Sequence, residues 1–298
     1  MSKVLIMSFE ELMALINDGY GCFDVACPTC GPDRRSQGNR SRKVLRIWHD
    51  EPDFASFNCS RCGMKGSARR DGSRTSGDPK KLARLQADAV ARNAHCVDEQ
   101  RRKAQWLWRK ASPASGTPAE VYLNTRGIQA PPPATVRFLK AHDGHPPAMI
   151  AAFGFADEPE PGILSISDDA VVGVHLTMLK TDGSGKADID ISKKMIGPSR
   201  GSPLVLAPAN DLLGFIVSEG VEDGLSGHEA TGLGVWAAGS ASRLPGLADA
   251  IPAYADCVTI LVDDDDEGRR HARELAARLI TRGIRVEMVE NTKMDIAA

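Results

Sequence analysis

The sequence is poor in aromatic residues and has no long apolar segment. Phe, Trp and Tyr make up only 5% of the 298 residues. No run approaches the ~20 apolar residues that a membrane-spanning helix needs. The apolar stretch within residues 1–16 contains Glu10 and Glu11 and has no small-residue cleavage site, so it does not resemble a signal peptide. These absences argue against a membrane or secreted protein and favour a cytoplasmic one.

The seven cysteines do not form a pattern typical of disulfides. Their number is odd, and four of them form two C-x-x-C pairs in a chain without a secretory signal, which favours a metal site. A glycine follows each pair and gives the turn room to bring backbone amides toward sulfur. Four thiolates predict a structural Zn²⁺ in a zinc ribbon over about residues 20–68. The expected ligands are Cys27, Cys30, Cys59 and Cys62.

Charge is distributed unevenly along a chain whose net charge is only −2. Residues 31–110 contain 20 Lys and Arg against 9 Asp and Glu, whereas residues 211–298 contain 8 against 16. This pattern suits a basic nucleic-acid surface beside an acidic metal site. A solvated basic helix together with an acidic loop would give the same charge counts.

The N-terminal part predicts a small β-structure followed by a long helix. Ser8 and Glu11 form a capping box for a short helix. Apolar and polar residues alternate over residues 43–49 and 54–58, as in antiparallel strands. Residues 68–79 have the composition of a flexible linker, and residues 80–111, which contain no helix breaker, predict one basic helix.

The C-terminal part predicts an α/β fold. After a helix that begins near Thr117 and Pro118, residues 148–206 contain several short apolar runs typical of strands. Strands and helices then alternate and predict a parallel sheet. The expected strands are residues 215–218, 234–238, 258–262 and 285–289, and the expected helices are a segment through residue 228, 241–250 and 268–282. The expected domains are 1–68 (zinc ribbon), 69–116 (linker and basic helix), 117–210 (mixed α+β region) and 211–298 (parallel sheet).

Carboxylates follow two of the predicted buried strands. Glu219 comes directly after residues 215–218, and Asp263 and Asp265 come after residues 258–262. Their side chains would project from one edge of the sheet, where carboxylate oxygens suit Mg²⁺ and phosphate chemistry. The neighbouring Asp264, Asp266 and Glu267 are equally consistent with a solvated turn.

Several segments resemble known motifs. Ser218-Glu-Gly-Val-Glu-Asp223, Ala237-Ala-Gly-Ser240 and Asp263-x-Asp-x-x-Gly-Arg269 resemble the successive motifs of a Toprim domain. Tyr122-Leu-x-x-Arg126-Gly127 resembles the segment that opens the catalytic core of bacterial replicative primases, and Lys193–Pro198 lies where those enzymes carry a Lys-led loop. With the zinc ribbon in front, the resemblance covers nearly the whole chain and is closest to Toprim primases of phages and plasmids.

The resemblance implies a DNA primase that synthesises short RNA primers from ribonucleoside triphosphates on single-stranded DNA. The zinc ribbon would help to select the template. By matching position, Glu219 would be the general acid/base or a metal-linked carboxylate, and Asp263 and Asp265 would hold Mg²⁺ or Mn²⁺. One strand departs from the related proteins, because Leu176 occupies a position where a basic residue is expected. The remaining candidates for nucleotide or DNA binding are Arg126, Lys193, Lys194, Arg269 and Arg270.

Two other functions remain open at this stage. A Toprim nuclease or topoisomerase would use the same carboxylates, but none of the three tyrosines has the context of a topoisomerase nucleophile. A non-catalytic DNA-binding or recombination-mediator protein would keep the zinc and Toprim parts. Asp295 is a weak counterpart of a later acidic motif, and the chain ends soon after it, as a truncated protein would. The sequence has no Walker motif, so a replicative helicase is expected as a separate partner or in a missing part.

Overall fold

The computed structural model describes residues 7–31, 42–71 and 79–291, and for residues 79–92 and 291 it describes the backbone alone. The chain divides into two compact units between Asp88 and Ala89. Within the described residues, no helix has the length and apolar character to cross a membrane. Asp295 and residues 72–78 of the predicted linker lie outside the described residues.

The first unit combines one short helix with a four-stranded antiparallel sheet. The strand order is β1-β2-β3-β4. The capping box at Ser8 and Glu11 is present, and the two predicted strands pair as a hairpin, so these predictions are confirmed. The elements are α1 (Phe9–Ile16), β1 (Gly21–Ala26), β2 (Lys43–Glu51), β3 (Phe54–Cys59) and β4 (Lys65–Arg69).

The core of the first unit forms where α1 packs against the sheet. Phe9 and Leu12 of α1 join Leu45, Ile47 and Phe57 of the sheet in one buried cluster. The alternation of buried and exposed residues along β2 produces this apolar face. The linker prediction began too early, because Ala68 pairs with Ala55 as part of β4.

A long helix, α2 (Pro79–Lys110), follows and confirms the predicted basic helix. Near its C-terminal end, Ala104 and Trp108 are fully buried among strand residues of the second unit. Trp106, by contrast, is exposed. This end of α2 is therefore part of the core of the second unit.

The remaining elements form one large mixed sheet with helices. Before residue 210 these are β5 (Ser112–Pro113), α3 (Pro118–Thr125), β6 (Val136–Leu139), β7 (Ala148–Phe153), β8 (Asp157–Glu160), β9 (Ile163–Ser165), β10 (Gly173–Met178), β11 (Lys193–Ile196) and β12 (Leu204–Ala207). After it they are β13 (Gly214–Ser218), α4 (Val221–Thr231), β14 (Gly234–Ala237), β15 (Cys257–Asp263), α5 (Asp266–Thr281) and β16 (Arg285–Asn291).

The large sheet has the order β11-β10-β7-β12-β14-β13-β15-β16, with β5 and β6 branching from β7 and β8 and β9 forming a separate hairpin. β14, β13, β15 and β16 are parallel, which confirms the predicted parallel sheet and the α/β fold class. The strands before β13 pair antiparallel, and β12 joins the two groups by pairing antiparallel with β14.

Both faces of the parallel part are covered. Along β13, Ile216 packs with α3 and α4, whereas Phe215 and Val217 pack with α5 on the opposite face. This explains why the predicted strand is apolar throughout. The helix predicted near 241–250 is instead a 3₁₀ helix at Ala241–Leu247, because Pro245 in its middle cannot support a regular α-helix.

Candidate metal centre and active site

The sheet of the first unit brings the four predicted zinc ligands together. Cys27 follows β1 and Cys59 ends β3, and the strand register aligns Val25 with Leu45 and Leu45 with Cys59, so both cysteine pairs lie at the same end of the sheet. Their sulfur atoms all lie within 4.8 Å of one another. Gly63 adopts a φ of +72°, the left-handed conformation that the tight turn after Cys62 requires.

The spacing of the sulfur atoms fits a tetrahedral zinc site. The Sγ atoms of Cys27 and Cys62 are 3.9 Å apart, and those of Cys30 and Cys59 are 3.8 Å apart. Both distances far exceed the ~2.05 Å of a disulfide. Four sulfur atoms at ~2.3 Å from a central zinc would be about 3.8 Å apart. The cysteine cluster therefore has the donor set and spacing of a structural zinc site.

Burial disfavours the thiolate form at two of the four cysteines, whereas at Cys59 burial is outweighed by backbone hydrogen bonds, which lower the pKa. Burial and the neighbouring thiols raise the pKa of Cys30 to about 12, and burial also raises the pKa of Cys62. A bound cation reverses this preference, because metal ligation requires the deprotonated form. The four cysteines thus supply the complete ligand set of a tetrahedral site.

A second group of acidic residues lies at the carboxyl edge of the parallel sheet. Glu219 follows β13, Asp263 ends β15, and Asp265 caps α5. Because β13 and β15 are parallel neighbours, these residues share one edge. Burial raises the pKa of Glu219 to about 7, with further contributions from the charges of Asp263 and Asp265. The structure therefore places the three carboxylates within electrostatic reach of one another.

The backbone around Glu219 is held by the turn that follows β14. The amide of Gly239 donates to the carbonyl of Glu219 at 2.8 Å, and the amide of Ala238 donates to Ser218 at 2.9 Å. Gly239 has a φ of +82°, and a Cβ there would lie 2.9 Å from the Phe153 ring. Only glycine therefore allows this turn to pack so closely beside Glu219.

Asp265 has a structural contact as well as its place at the sheet edge. Its side chain accepts a hydrogen bond from the Gly268 amide at 2.6 Å and caps α5. The adjacent Asp264 and Asp266 instead pair with Arg269 at 2.6 and 3.2 Å, and both aspartate side chains are largely exposed. Arg270 lies 4.0 Å from Glu267. In this structure the two arginines bind acidic side chains of their own turn.

The other basic candidates lie on the antiparallel part of the sheet and on α3. Arg126 caps the C-terminal end of α3 and is exposed, as is Lys194 on β11. Lys193 Nζ lies 3.5 Å from a carboxylate oxygen of Glu222. Leu176 is buried against the core, so the positive charge near this strand comes from other residues.

The sequence analysis missed Glu222, which is the centre of a buried polar cluster. It is only 5% exposed. The Tyr122 hydroxyl donates to its Oε1 at 2.7 Å, Lys186 Nζ lies 3.6 Å from Oε1, and Lys193 approaches Oε2. Although burial opposes its charge, Lys193, Tyr122 and Lys186 lower the pKa of Glu222 to about 2. Its position three residues before the buried Leu225, on one face of a helix, was the available signal.

Two further buried polar side chains lie beside this cluster. His175 Nδ1 and Thr177 Oγ1 have no hydrogen-bond partner among the described residues. Burial and the nearby charge of Lys193 lower the pKa of His175 to about 4, so its ring is neutral. The strand register pairs Thr177 with Lys193 and His175 with Met195, so all four side chains share one face.

Comparison with known proteins identifies two segments of the chain. Residues 214–297 match the Toprim domain, and residues 98–206 match a domain of unknown function, DUF7146. Among solved structures, the zinc-binding and RNA polymerase domains of the Aquifex aeolicus primase are similar, with 16% identity and a TM-score of 0.40 over 94% of this chain and 76% of that one. No curated protein matches the sequence. The C-terminal parallel sheet is therefore a Toprim domain.

Proposed function

We propose that the protein is a DNA primase that synthesises short RNA primers on single-stranded DNA. It would use ribonucleoside triphosphates, a structural Zn²⁺ and a catalytic Mg²⁺ or Mn²⁺, and would serve the replication of a phage, plasmid or other mobile element. The observation that carries the proposal is the edge of the Toprim domain, where half-buried Glu219 lies within electrostatic reach of Asp263 and Asp265. A zinc-type cysteine cluster in the same chain supports it.

The carboxylate edge suits a hard divalent cation. Mg²⁺ binds one or two protein carboxylates and completes its coordination with water and substrate phosphate. The raised pKa of Glu219 reflects burial and repulsion from Asp263 and Asp265, and a cation would relieve both effects. When bound, the cation would supply charge neutralisation for phosphoryl transfer. Asp263, Asp265 and Glu219 are the residues that would hold it.

The residues of the protein would position the substrates and transfer one proton. Without a bound cation, Glu219 has a pKa of about 7 and can exchange a proton near neutral pH, as a general acid/base requires; as a metal ligand it would instead be ionised. The charge of Lys193 lowers the pKa of Glu219, so it would also act on phosphates held at this edge. Nucleotide transfer depends mainly on such positioning and on electrostatic stabilisation.

The zinc-bearing unit would contribute template binding. Residues 31–110 carry an excess of Lys and Arg. Of the two ribbon aromatics that could either stack on bases or fill the core, Phe57 is buried in the core and Trp48 is half-buried. Binding would rest mainly on phosphate neutralisation, and affinity for single-stranded DNA should fall with salt with a slope near −0.7 per contact. Residues 32–41 and 72–78 of this basic tract lie outside the described part of the chain.

Primer synthesis on single-stranded DNA tests the proposal directly. The protein is incubated with varied templates, Mg²⁺ or Mn²⁺ and labelled ribonucleotides, and short RNA products are expected. Glu219→Gln should bind DNA at least as well as the unmodified protein, because it removes a negative charge, yet make no primers. Synthesis by Glu219→Gln at the unmodified rate would place the chemistry elsewhere. If no primers form under any condition, a DNA-binding or recombination-mediator function replaces the primase, and metal-dependent DNA cleavage would instead indicate a nuclease.

A further inference from the structure

The cluster around Glu222 contains more positive than negative charge. Lys186 and Lys193 both approach one carboxylate, the Tyr122 hydroxyl is neutral, and the buried His175 is neutral as well. Arg126 and Asp223 also act on this group, since their charges shift the pKa of Tyr122 in opposite directions, and Arg126 helps to lower the pKa of Lys186. With these two residues included, three cations face two carboxylates, so the group has one positive charge in excess. Buried or half-buried cations in excess favour an anionic ligand.

The two lysines are fixed in place but remain accessible. Each ion pair with Glu222 is long, at 3.6 and 3.5 Å, and each lysine side chain is 39% exposed. The loop that carries Lys186 is held against α3, since a Cβ at Gly183 would lie 2.4 Å from the carbonyl oxygen of Pro118. Lys193 is fixed on β11 by the strand register with Thr177. Each ammonium group can therefore keep one contact with Glu222 and direct its other N–H groups to a ligand.

The same face offers further hydrogen-bonding capacity. His175 Nδ1 and Thr177 Oγ1 are buried and lack partners among the described residues, although such groups usually have them. Lys193 also connects this face to the carboxylate edge, because its charge lowers the pKa of both Glu222 and Glu219. An anion bound here would thus lie next to the edge of the Toprim domain.

We propose that Glu222 is a positioning residue that holds Lys186 and Lys193 as a phosphate-binding pair. The ligand class is a polyphosphate, and the identification of this ligand with a nucleoside triphosphate rests on the proposed function. Glu222 does not contact the phosphate; it orients the two ammonium groups, and Tyr122 orients Glu222. Simple charge counting gives the opposite expectation, because removal of a negative charge should strengthen anion binding.

Calorimetric titration with inorganic tripolyphosphate, with Mg²⁺ and again with EDTA, tests this role. Glu222→Gln should weaken binding roughly tenfold, the size expected when one charge-assisted hydrogen bond is lost. Glu222→Asp, which restores the charge, should recover part of the affinity. Lys186→Gln should weaken binding by a similar factor. Lys180→Gln is the matched control, because Lys180 precedes the same loop but pairs with the exposed Asp188 at 3.5 Å, and it should bind normally.

The outcomes separate positioning from other roles. If Glu222→Gln lowers the melting temperature but binds tripolyphosphate unchanged or more tightly, Glu222 only supports the fold or the local potential, and the inference is wrong. If Glu222→Gln does not fold, Tyr122→Phe decides, since it removes only the hydroxyl that orients the carboxylate, and unchanged binding there overturns the inference. A protein that makes no primers but shows the expected binding pattern would contradict the proposed function alone.

Discussion

The cysteine cluster and the carboxylate edge are two groups of possible metal ligands that differ in how closely their ligand atoms are held together. In the first unit, four sulfur atoms come within 4.8 Å of one another and three of the four cysteines are buried. Within the described residues, no other three or more potential ligand atoms lie close enough to hold one metal ion in the present side-chain positions. The carboxylates of Glu219, Asp263 and Asp265 are therefore farther apart than the four sulfur atoms. Structural metal sites are closed by protein ligands, whereas catalytic sites keep positions open. Under the proposed function, a cation at the carboxylate edge would complete its coordination with water and substrate phosphates.

The largest expected effect is on the cysteine cluster. Cys59→Ser should release the metal and unfold the first unit, since structural zinc contributes on the order of 10 kcal/mol to small domains. Metal analysis should find one zinc in the unmodified protein and clearly less than one in the variant. Cys96→Ser is the control, because Cys96 is exposed and outside the cluster, and it should retain one zinc. Less than one zinc per unmodified chain would show that the cysteine cluster is not a structural zinc site.

The carboxylate edge should respond in activity and not in stability. Asp263→Asn should reduce Mg²⁺-dependent primer synthesis by at least a factor of about 100, the scale expected for loss of an electrostatic contribution at an active site. Its melting temperature without metal should not fall, because the change removes repulsion at Glu219. Synthesis at the unmodified rate, or a fall of several degrees, would contradict this assignment.

Acidic pH should destabilise the second unit through His175. Its pKa of about 4 lies below the usual value for histidine, so the unfolded chain binds a proton that the folded chain rejects. The contribution is fully present above about pH 6.5 and is lost as pH falls from there toward 4. His175→Gln should flatten this part of the stability curve, measured by urea unfolding between pH 7 and 4.5. Lys193, Glu222, Arg243 and Lys186 also act on this ring, but they do not titrate between pH 7 and 4.5. An unchanged slope would therefore show that other titrating groups of the second unit, not His175, set the response.

The capping of α5 by Asp265 can be tested separately from its proposed role as a metal ligand. Asp265→Ala removes the cap of α5 and should cost about 1 kcal/mol, whereas Asp265→Asn keeps a good capping residue and should cost little. Both variants should lose Mg²⁺-dependent activity. Equal stability of the two variants would show that the cap contributes nothing, and full activity of the asparagine variant would remove Asp265 from the metal site.

The smallest effect is expected at Arg269. Its partners Asp264 and Asp266 are exposed, and such surface pairs contribute little to stability. Arg269→Gln should leave the melting temperature unchanged. A large rise in the KM for nucleotides, with the melting temperature unchanged, would show that this arginine leaves its acidic partners to bind phosphate, and Arg273→Gln on the same helix provides the comparison.

Local sequence signals were sufficient for much of the fold. The cap at Thr117 with Pro118, the capping box at Ser8, and the apolar strands of the parallel sheet all depend on residues close together in sequence. The two C-x-x-C pairs likewise predicted the cysteine cluster, because this spacing has few explanations other than a metal site. The exception at 241–250 arose from Pro245, whose effect on helix type the periodicity alone did not reveal.

The contacts that the sequence could not predict are those between distant residues. The hydrogen bond from Tyr122 to Glu222 joins positions 100 residues apart. Neither residue has a neighbour in sequence that signals this bond, and a glutamate near the start of a helix is normally explained by the helix dipole. The spacing of Glu222 from Leu225 indicates which face of the helix it lies on, but its partners became apparent only when α3, β11 and the loop before β11 were placed around it.

The pairing of β12 with β14 has a consequence for how the chain can evolve. The two segments recognised as separate families, residues 98–206 and 214–297, contribute strands to a single hydrogen-bonded sheet. Arg243 strengthens the connection by donating to the carbonyl of Ser199 while its guanidinium lies over the Phe153 ring. Removal of either segment would leave an unpaired strand edge in the other. We therefore expect substitutions on either side of the β12–β14 seam to be constrained together.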